Sequence, residues 1–164
     1  ATKYMPIWIG QTPAWVDAFF AHPNLPAVAF TNFYWVMGLP YWGEELPGMD
    51  KFLAAWEQHG KGMGNPDFYV LASYVQGLVQ MEILRRTIES GDLTRAGFMK
   101  QMHSIDGWNA GGLSQPVSLK KVPFQTSTRT RVLKPDFANK SWTVAEHGDY
   151  AEPGALDKGA GGAE

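Results

Sequence analysis

The chain has 164 residues, of which 45% are hydrophobic and 18% charged, a composition typical of one globular domain or of one lobe of a larger protein. The formal net charge is −2 and the pI is about 6.1, which excludes a general attraction to nucleic acid or to an anionic membrane. Cysteine is absent, and its absence excludes disulfides, thiolate metal sites and cysteine nucleophiles.

Neither a membrane span nor a signal peptide is visible in the sequence. No uninterrupted apolar run approaches the roughly 18 residues of a transmembrane helix. The start, Ala1-Thr2-Lys3-Tyr4, lacks the basic segment and the apolar stretch of a signal peptide. If the protein is exported, we expect its signal to lie outside this sequence.

Aromatic residues are the unusual feature of the composition. The chain contains seven Trp, six Tyr and nine Phe, and they are densest between Trp8 and Trp42. Such rings form either a thick core or the walls of a binding surface. For any single ring, core packing is the default interpretation.

The first third of the sequence predicts strands joined by a short helix. Residues 4–9 are apolar and aromatic and stop at a glycine, which is typical of a buried strand. Thr12-Pro13 is a good helix start, and it predicts a helix over residues 14–21. A second strand is predicted over 27–33, followed by an irregular Gly- and Pro-rich aromatic stretch over 34–43.

The middle of the sequence predicts three helices. They cover residues 49–59, 67–89 and about 92–103. The second is the strongest assignment, because apolar residues lie on several of its sides. That pattern predicts burial against more than one neighbour, including at Met81, Leu84 and Ile88.

The last part of the sequence alternates polar and apolar residues. Residues 107–112 are predicted to be loop. Residues 117–122, 130–134 and 141–146 are predicted to be edge strands of a small antiparallel unit. Beyond Gly148 the tail has almost no apolar side chains to bury, so we expect it to be disordered.

The sequence lacks the patterns that carry enzyme chemistry. No nucleotide-binding glycine loop, nucleophile elbow or zinc-protease motif occurs. The histidines are scattered, without the spacing of a metal pair: His22, His59, His103 and His147. We therefore expect no catalytic residue, no bound metal and no cofactor.

Two charged groups have ordinary interpretations. Glu44-Glu45 lies in a Pro/Gly-rich loop, where solvated charges are a better interpretation than paired catalytic carboxylates. Arg129 and Arg131, with Lys120-Lys121, form a modest basic patch. Because no aromatic residues are interleaved and the net charge is not positive, nucleic acid is not an expected partner.

The order and spacing of several segments resemble the type I periplasmic binding proteins, which are the receptors of branched-chain amino acid and related ABC importers. The resemblance covers roughly residues 3–148. The segments that carry it are Ile9-Gly10-Gln11-Thr12-Pro13, Pro47-Gly48-Met49-Asp50-Lys51-Phe52, the run from Asn65-Pro66-Asp67-Phe68-Tyr69 to Leu78, Asp92-Leu93-Thr94-Arg95, Gly111-Gly112, Thr130-Arg131-Val132 and Ser141-Trp142.

The resemblance implies an α/β fold: a Rossmann-like lobe with flanking helices and terminal antiparallel strands. A complete receptor of that family is longer and has two lobes around a cleft. Residues 1–148 are therefore expected to be the carboxyl-terminal segment of a two-lobed protein, and 149–164 a disordered tail. The missing amino-terminal half would supply partners for strands that otherwise lack them.

The function that the resemblance implies is substrate binding for an ABC transporter. The ligand would be a small amino acid-like or small aromatic or carboxylate solute, and the protein would be periplasmic or extracellular. Its partners would be the missing half of the receptor and the transporter's membrane subunits. Two alternatives remain: a ligand-sensing regulatory domain of the same fold, and an enzyme.

The expected ligand contacts follow from the rule that ligands of open α/β sheets lie beyond the carboxyl ends of the strands. The first strand leads into Gln11 and Thr12, where a side-chain amide and the exposed amides of a helix start could hold an anionic group. The second predicted strand ends near Tyr34.

Three further contacts are expected outside the strands. Tyr41 and Trp42 lie in a loop that could close over the ligand. Tyr69 opens the long helix and resembles the family's aromatic wall. The predicted ligand-binding residues are thus Gln11, Thr12, Tyr34, Tyr41, Trp42 and Tyr69.

Overall fold

A computed structural model describes residues 6–12, 14–41, 43–64, 66–122, 124, 128–144 and 150–151. The chain divides into two compact units. The first unit is Ala1–Gly38 with Arg129–Glu164, and the second unit is Leu39–Thr128. The chain therefore passes from one unit to the other twice, after Gly38 and after Thr128.

The first unit contains a four-stranded sheet. Its strands are β1 (Trp8–Gln11), β2 (Phe33–Met37), β3 (Arg131–Asp136) and β4 (Ser141–Val144), and they lie in the order β1-β2-β3-β4. β1 and β2 are parallel, whereas β2 with β3 and β3 with β4 are antiparallel. The mixed sheet confirms the predicted α/β class.

The segment between β1 and β2 differs from its prediction. The helix predicted over 14–21 is wrong, because only a 3₁₀ turn forms, over Asp17–Ala21. Thr12 is not its cap: the Thr12 hydroxyl donates to Sδ of Met37 at 3.4 Å. The predicted Pro13 start lies outside the described residues.

The strand predicted over 27–33 is also displaced along the chain. Ala27–Phe30 is a second 3₁₀ turn, and the strand occupies Phe33–Met37. The stretch predicted to be irregular therefore supplies β2. Its backbone pairs on both sides, with β1 and with β3, and this pairing decides the conformation more strongly than the nearby glycine and proline do.

The aromatic rings of the first unit pack around Trp15, which is 1% exposed. The centroids of the surrounding rings lie 4.6–6.1 Å from that of Trp15; the rings belong to Phe19, Phe20, Phe30, Phe33, Phe137 and Trp142. Trp142 also contacts Trp35, with centroids 4.8 Å apart. These rings form a core, which is the default interpretation made from the sequence.

A glycine lets this core approach the sheet. A Cβ atom at Gly10 would lie 2.7 Å from Cβ of Ala14 and 2.9 Å from Cζ of Phe33. Both distances are too short for a real side chain, so residue 10 of β1 has to be glycine for the connecting segment to lie on the strand.

The second unit is helical in its described residues. Its helices are α1 (Pro47–His59), α2 (Phe68–Ser90) and α3 (Arg95–Met102). All three predicted helices are present, α3 being shorter than predicted. The Asp67 carboxylate accepts the N–H of Val70 at 2.9 Å at the start of α2, and Gly91 with φ of 72° ends it.

The helices of the second unit pack around two groups of buried side chains. One group contains Met49, Phe52, Leu71, Val75, Ala110 and Leu113, and the other Ile83, Ile105 and Val117. The predicted loop 107–112 contains a 3₁₀ turn, Ala110–Gly112. The strand predicted over 117–122 is wrong: it is reduced to one bridge between Trp108 and Val117, because no neighbouring strand extends the pairing within the described residues.

α2 packs against more than one neighbour, as predicted: its amino-terminal half packs with Met49 and Phe52 of α1, and Ile83 packs with Phe98 of α3. The prediction is wrong at three apolar residues. Met81, Leu84 and Ile88 are exposed. α3 packs against the same side of α2 as Ile83, and the described part of this unit has no element over the opposite side.

The last two strands complete the sheet of the first unit. The strands predicted over 130–134 and 141–146 correspond to β3 and β4, with residues 145 and 146 outside the described residues. In the predicted tail, Ala151 forms an antiparallel bridge with Thr130, and the Arg131 guanidinium lies 4.6 Å from the ring centroid of Tyr150. Residues 149 and 152–164 lie outside the described residues.

Leu71 is fully buried in the second unit, so a smaller side chain at this position should strongly lower the stability of the fold. Leu71→Ala should lower the free energy of unfolding by about 2–5 kcal/mol, because it leaves a cavity between α1 and α2. Leu93 is exposed, so Leu93→Ala is the matched control and should change the free energy of unfolding by no more than about 0.5 kcal/mol. Urea denaturation followed by circular dichroism measures both. Equal effects would contradict this assignment of the core.

Ion pairs on α2 predict a pH dependence of stability. Glu82 Oε1 lies 2.8 Å from Arg85 Nη2 and 2.7 Å from Arg86 Nε. The pKa of Glu82 is lowered from 4.5 to about 2, chiefly by the hydrogen bond from Arg85; partial burial opposes the shift and Arg86 adds to it. Because the pKa is lower in the folded state, the ionised carboxylate stabilises the fold above its unfolded pKa, and this contribution is lost as the pH falls from about 4.5 towards 2.

Glu82→Gln should therefore lower the free energy of unfolding at pH 7 by about 1 kcal/mol, a value reduced for solvent screening. The difference in the free energy of unfolding between the variant and the original protein should decrease as the pH is lowered from 5 to about 3. Glu57→Gln, on the exposed surface of α1, controls for loss of a charge. Urea titrations at several pH values measure the effect, and a difference that stays constant with pH would contradict the role of Glu82.

Candidate ligand-binding edge of the sheet

The carboxyl ends of β1 and β2 lie at the same edge of the sheet, because the two strands are parallel. Gln11 ends β1 opposite Val36, and β2 ends one residue later, at Met37. This carboxyl edge is where an open α/β sheet presents groups to a ligand.

Gln11 and Thr12 both lie at the carboxyl edge, and both are exposed. The Gln11 side-chain amide has two N–H donors and one oxygen acceptor. The Thr12 hydroxyl, which donates to Met37, also has lone pairs that can accept. The expected helix amides after Thr12 are a wrong prediction, because the 3₁₀ turn begins only at Asp17.

Arg131 lies at the same edge and was not predicted to do so. It begins β3 directly opposite Met37 and is only 5% exposed, so its charge is not available to a partner in the way that the predicted basic patch implied. Its guanidinium lies over the Tyr150 ring. The signal in the sequence was the alternation of β3, which places Arg131 and Leu133 on the same, buried face of the sheet.

Tyr34 lies within β2 rather than at its end. It pairs with Ile9, and its ring centroid is 5.7 Å from Nζ of Lys134. The side chain is half-buried on the face that Ile9 also occupies. The prediction that the second strand ends near Tyr34 is therefore wrong, since the strand continues to Met37.

The other predicted contacts belong to the second unit. The N–H of Tyr41 donates to Oε1 of Glu44 at 2.7 Å, so Glu44 holds this loop rather than being only a solvated charge. Tyr69 lies in the first turn of α2, half-buried, with its ring edge-on to Phe68 at 5.6 Å. Trp42 lies outside the described residues.

The carboxyl edge is suited to hydrogen bonding. Its amide and hydroxyl groups can bind polar atoms of a solute. The carboxylates with lowered pKa lie elsewhere, each held by hydrogen bonds: Glu82, Asp92, Asp106 and Asp136. In the described part of the chain, no three His, Cys, Asp or Glu side chains are grouped to hold a metal, and no helix is long and apolar enough to cross a bilayer.

Among known proteins, matches to this chain are found only with solved structures. No family model matches the sequence, and no curated protein matches it. A fatty acid ABC transporter substrate-binding protein from Thermomonospora curvata matches 92% of this chain, with a TM-score of 0.74 and 22% identity. A branched-chain amino acid ABC transporter from Thermus thermophilus, with bound valine, matches 93% with a TM-score of 0.69 and 14% identity.

A third structure, an ABC transporter substrate-binding protein from Aeropyrum pernix, matches 81% of this chain with a TM-score of 0.56 and 18% identity. The chain spans 37%, 41% and 35% of the lengths of these three structures. The chain thus has the fold of part of an ABC transporter substrate-binding protein, and the fold implied by the resemblance is confirmed.

Proposed function

We propose that the chain is the carboxyl-terminal part of the substrate-binding component of an ABC importer. The observation that carries this proposal is the likeness in fold to two such proteins over more than nine-tenths of the chain. All three matching structures are transporter components, so transport is preferred to regulatory sensing. That the chain is not an enzyme stays a prediction.

The proposed partners and location follow from the same likeness. The matched structures are more than twice as long as the matched part, which supports an amino-terminal half as the first partner. The membrane subunits of the importer are the second. The proposed protein is exported, and it acts in the periplasm or outside the cell.

The proposed ligand is a small solute with a carboxylate attached to an apolar or aromatic group. One matching structure contains valine and another is named for fatty acids; both ligands combine a carboxyl group with an apolar chain. Gln11 and Thr12 are proposed to hydrogen-bond the polar end. Tyr34, Tyr41, Trp42 and Tyr69 are proposed as aromatic contacts, each to be tested by itself.

The proposal predicts solute binding by the gene product that contains this chain together with its upstream part. Isothermal titration should find a Kd of about 1 μM or lower for one member of a panel of valine, leucine, phenylalanine, benzoate and octanoate. The 164-residue chain alone should bind at least about 100-fold more weakly, because it supplies only some of the groups that desolvate the ligand.

Two results would count against the proposal. Failure of the whole gene product to bind any member of the panel would contradict the ligand class. Binding by the 164-residue monomer as tight as that of the whole product would contradict the need for a second part.

Tyr69 gives a sharper prediction, because it is half-buried at the rigid amino-terminal end of α2. If its ring contacts the ligand, Tyr69→Ala in the whole product should weaken binding by about 1–3 kcal/mol and leave the ligand-free melting temperature nearly unchanged. Tyr69→Phe, which keeps the ring, should retain most of the affinity. A large fall in ligand-free stability with unchanged affinity would instead identify Tyr69 as a core residue.

A further inference from the structure

After β4 the chain returns to the sheet at Tyr150 and Ala151, named here the return segment. The N–H of Thr130 donates to the carbonyl of Ala151 at 3.0 Å, and the N–H of Ala151 donates to the carbonyl of Thr130 at 2.8 Å. Nη2 of Arg129 donates to the carbonyl of Tyr150 at 2.8 Å. These hydrogen bonds fix the return segment to the residues that lead into β3.

The return segment is out of register with β4. Val144 of β4 pairs with Leu133, and the next described pair is Ala151 with Thr130. In the sequence, residues 145–150 separate Val144 from Ala151, whereas only residues 131 and 132 separate Leu133 from Thr130. Extra residues on one side of an antiparallel pair re-aim a side chain, and such insertions are common next to functional sites.

The side chain that is re-aimed belongs to Tyr150, and its ring lies over the guanidinium of Arg131. Cζ of Arg131 is 4.6 Å from the ring centroid, within the range of a cation–π contact. Arg131 is 5% exposed, so its cation is separated from bulk water. The face of an aromatic ring attracts such a cation, and the Tyr150 ring therefore restricts the positions that the guanidinium can take.

Arg131 belongs to a row of side chains that leads to the candidate site. It pairs with Met37 across the antiparallel strands β2 and β3, and side chains at directly opposite positions are neighbours. The Met37 sulfur in turn accepts the hydroxyl of Thr12 at 3.4 Å. The order across the sheet is therefore Tyr150, Arg131, Met37 and Thr12.

We propose that Tyr150 is a positioning residue of the carboxyl edge. Its ring holds Arg131 beside Met37, and Met37 holds the Thr12 hydroxyl in the orientation that binds a solute. This inference rests on the proposed function, in which Thr12 hydrogen-bonds the polar end of the ligand. Thr12 is exposed and its hydroxyl can rotate, so a buried neighbour such as Met37 is needed to fix it.

A matched pair of substitutions in the whole gene product tests the role of the ring. Tyr150→Phe keeps the ring over Arg131 and should leave the Kd within about 2-fold of the original value. Tyr150→Leu keeps an apolar side chain but removes the ring face, and it should raise the Kd about 10-fold, the effect of losing one desolvated cation–π contact. If Tyr150 only filled space, the two variants would bind alike.

Isothermal titration measures these Kd values, with the tightest-binding member of the panel of valine, leucine, phenylalanine, benzoate and octanoate as the probe. Phe124→Leu is the control, because it makes the same kind of change at a ring of the second unit that is exposed. It should leave the Kd unchanged. Tyr150→Met, with a flexible apolar side chain, serves if Tyr150→Leu does not fold.

A measurement without solute tests the route through Met37. The NMR order parameter of the Met37 methyl group reports its motion on the ps–ns timescale. Tyr150→Leu should lower this order parameter, and Tyr150→Phe should not. Met63 is exposed in the second unit, so the order parameter of its methyl group should be the same in all three proteins.

A second substitution tests whether the ring acts on the Thr12 hydroxyl. Thr12→Val removes the hydroxyl and keeps the β-branched shape. In the Thr12→Val product, Tyr150→Leu should raise the Kd by less than about 2-fold, because the interaction that it disturbs is already absent. A further 10-fold rise would show that the two residues act independently, and it would overturn the proposal.

Failure of this proposal and failure of the proposed function give different results. If the original product binds a solute, equal Kd values for Tyr150→Phe and Tyr150→Leu, or an unchanged order parameter at Met37, would overturn the role of Tyr150 and leave the transport function standing. If the original product binds no member of the panel, the transport function is removed. The order parameter of Met37, measured without solute, then decides by itself whether the ring positions the carboxyl edge.

Discussion

The packing of the 12–32 connection around Trp15 is the constraint on which the first unit depends. Two parallel strands cannot be joined by a tight turn, so the chain has to cross over one face of the sheet between β1 and β2. Here the crossover contains two 3₁₀ turns instead of a long helix, and it is held by aromatic rings around one buried indole. The close approach at Gly10 allows that crossover to lie against β1. The carboxyl edge with Gln11 and Thr12 is a consequence of this arrangement.

The helices of the second unit could be predicted from the sequence because their signals are local. The acidic cap at Asp67 marks the start of α2, the glycine at residue 91 marks its end, and the long apolar pattern lies between the two. The residues before β2 could not be predicted in this way. Phe19, Phe20 and Phe30 have little local preference that separates helix, strand and 3₁₀ turn, and contacts with Trp15, distant in sequence for Phe30, decide their conformation.

At the candidate site, too, the residues with a local sequence signal could be predicted, and those placed by contacts distant in sequence could not. Gln11 and Thr12 could be placed at the end of a strand because an apolar run stops at Gly10. Tyr34 was placed at a strand end only because the second strand was assigned too early in the chain, and the true register puts it opposite Ile9. Arg131 was missed because a charged residue is normally solvated, and because Tyr150, over whose ring its guanidinium lies, had been placed by the sequence in a tail.

Each of the two units has one element with exposed apolar residues on a side that no other described element covers. In the first unit this element is β1, where Trp8 and Ile9 are exposed. On α2, Met81, Leu84 and Ile88 make a stripe on the side opposite to the buried Ile83, and the neighbouring Arg85 is tied to Glu82 and Glu89 rather than covering the stripe. A helix with apolar residues on opposite sides, like a parallel strand with apolar residues on both faces, normally lies between two layers of structure. The described residues supply one layer in each case. A substrate-binding protein more than twice as long as its matched part contains enough further residues to form a second layer. Packing of the proposed amino-terminal half would therefore explain the exposed apolar residues of both units.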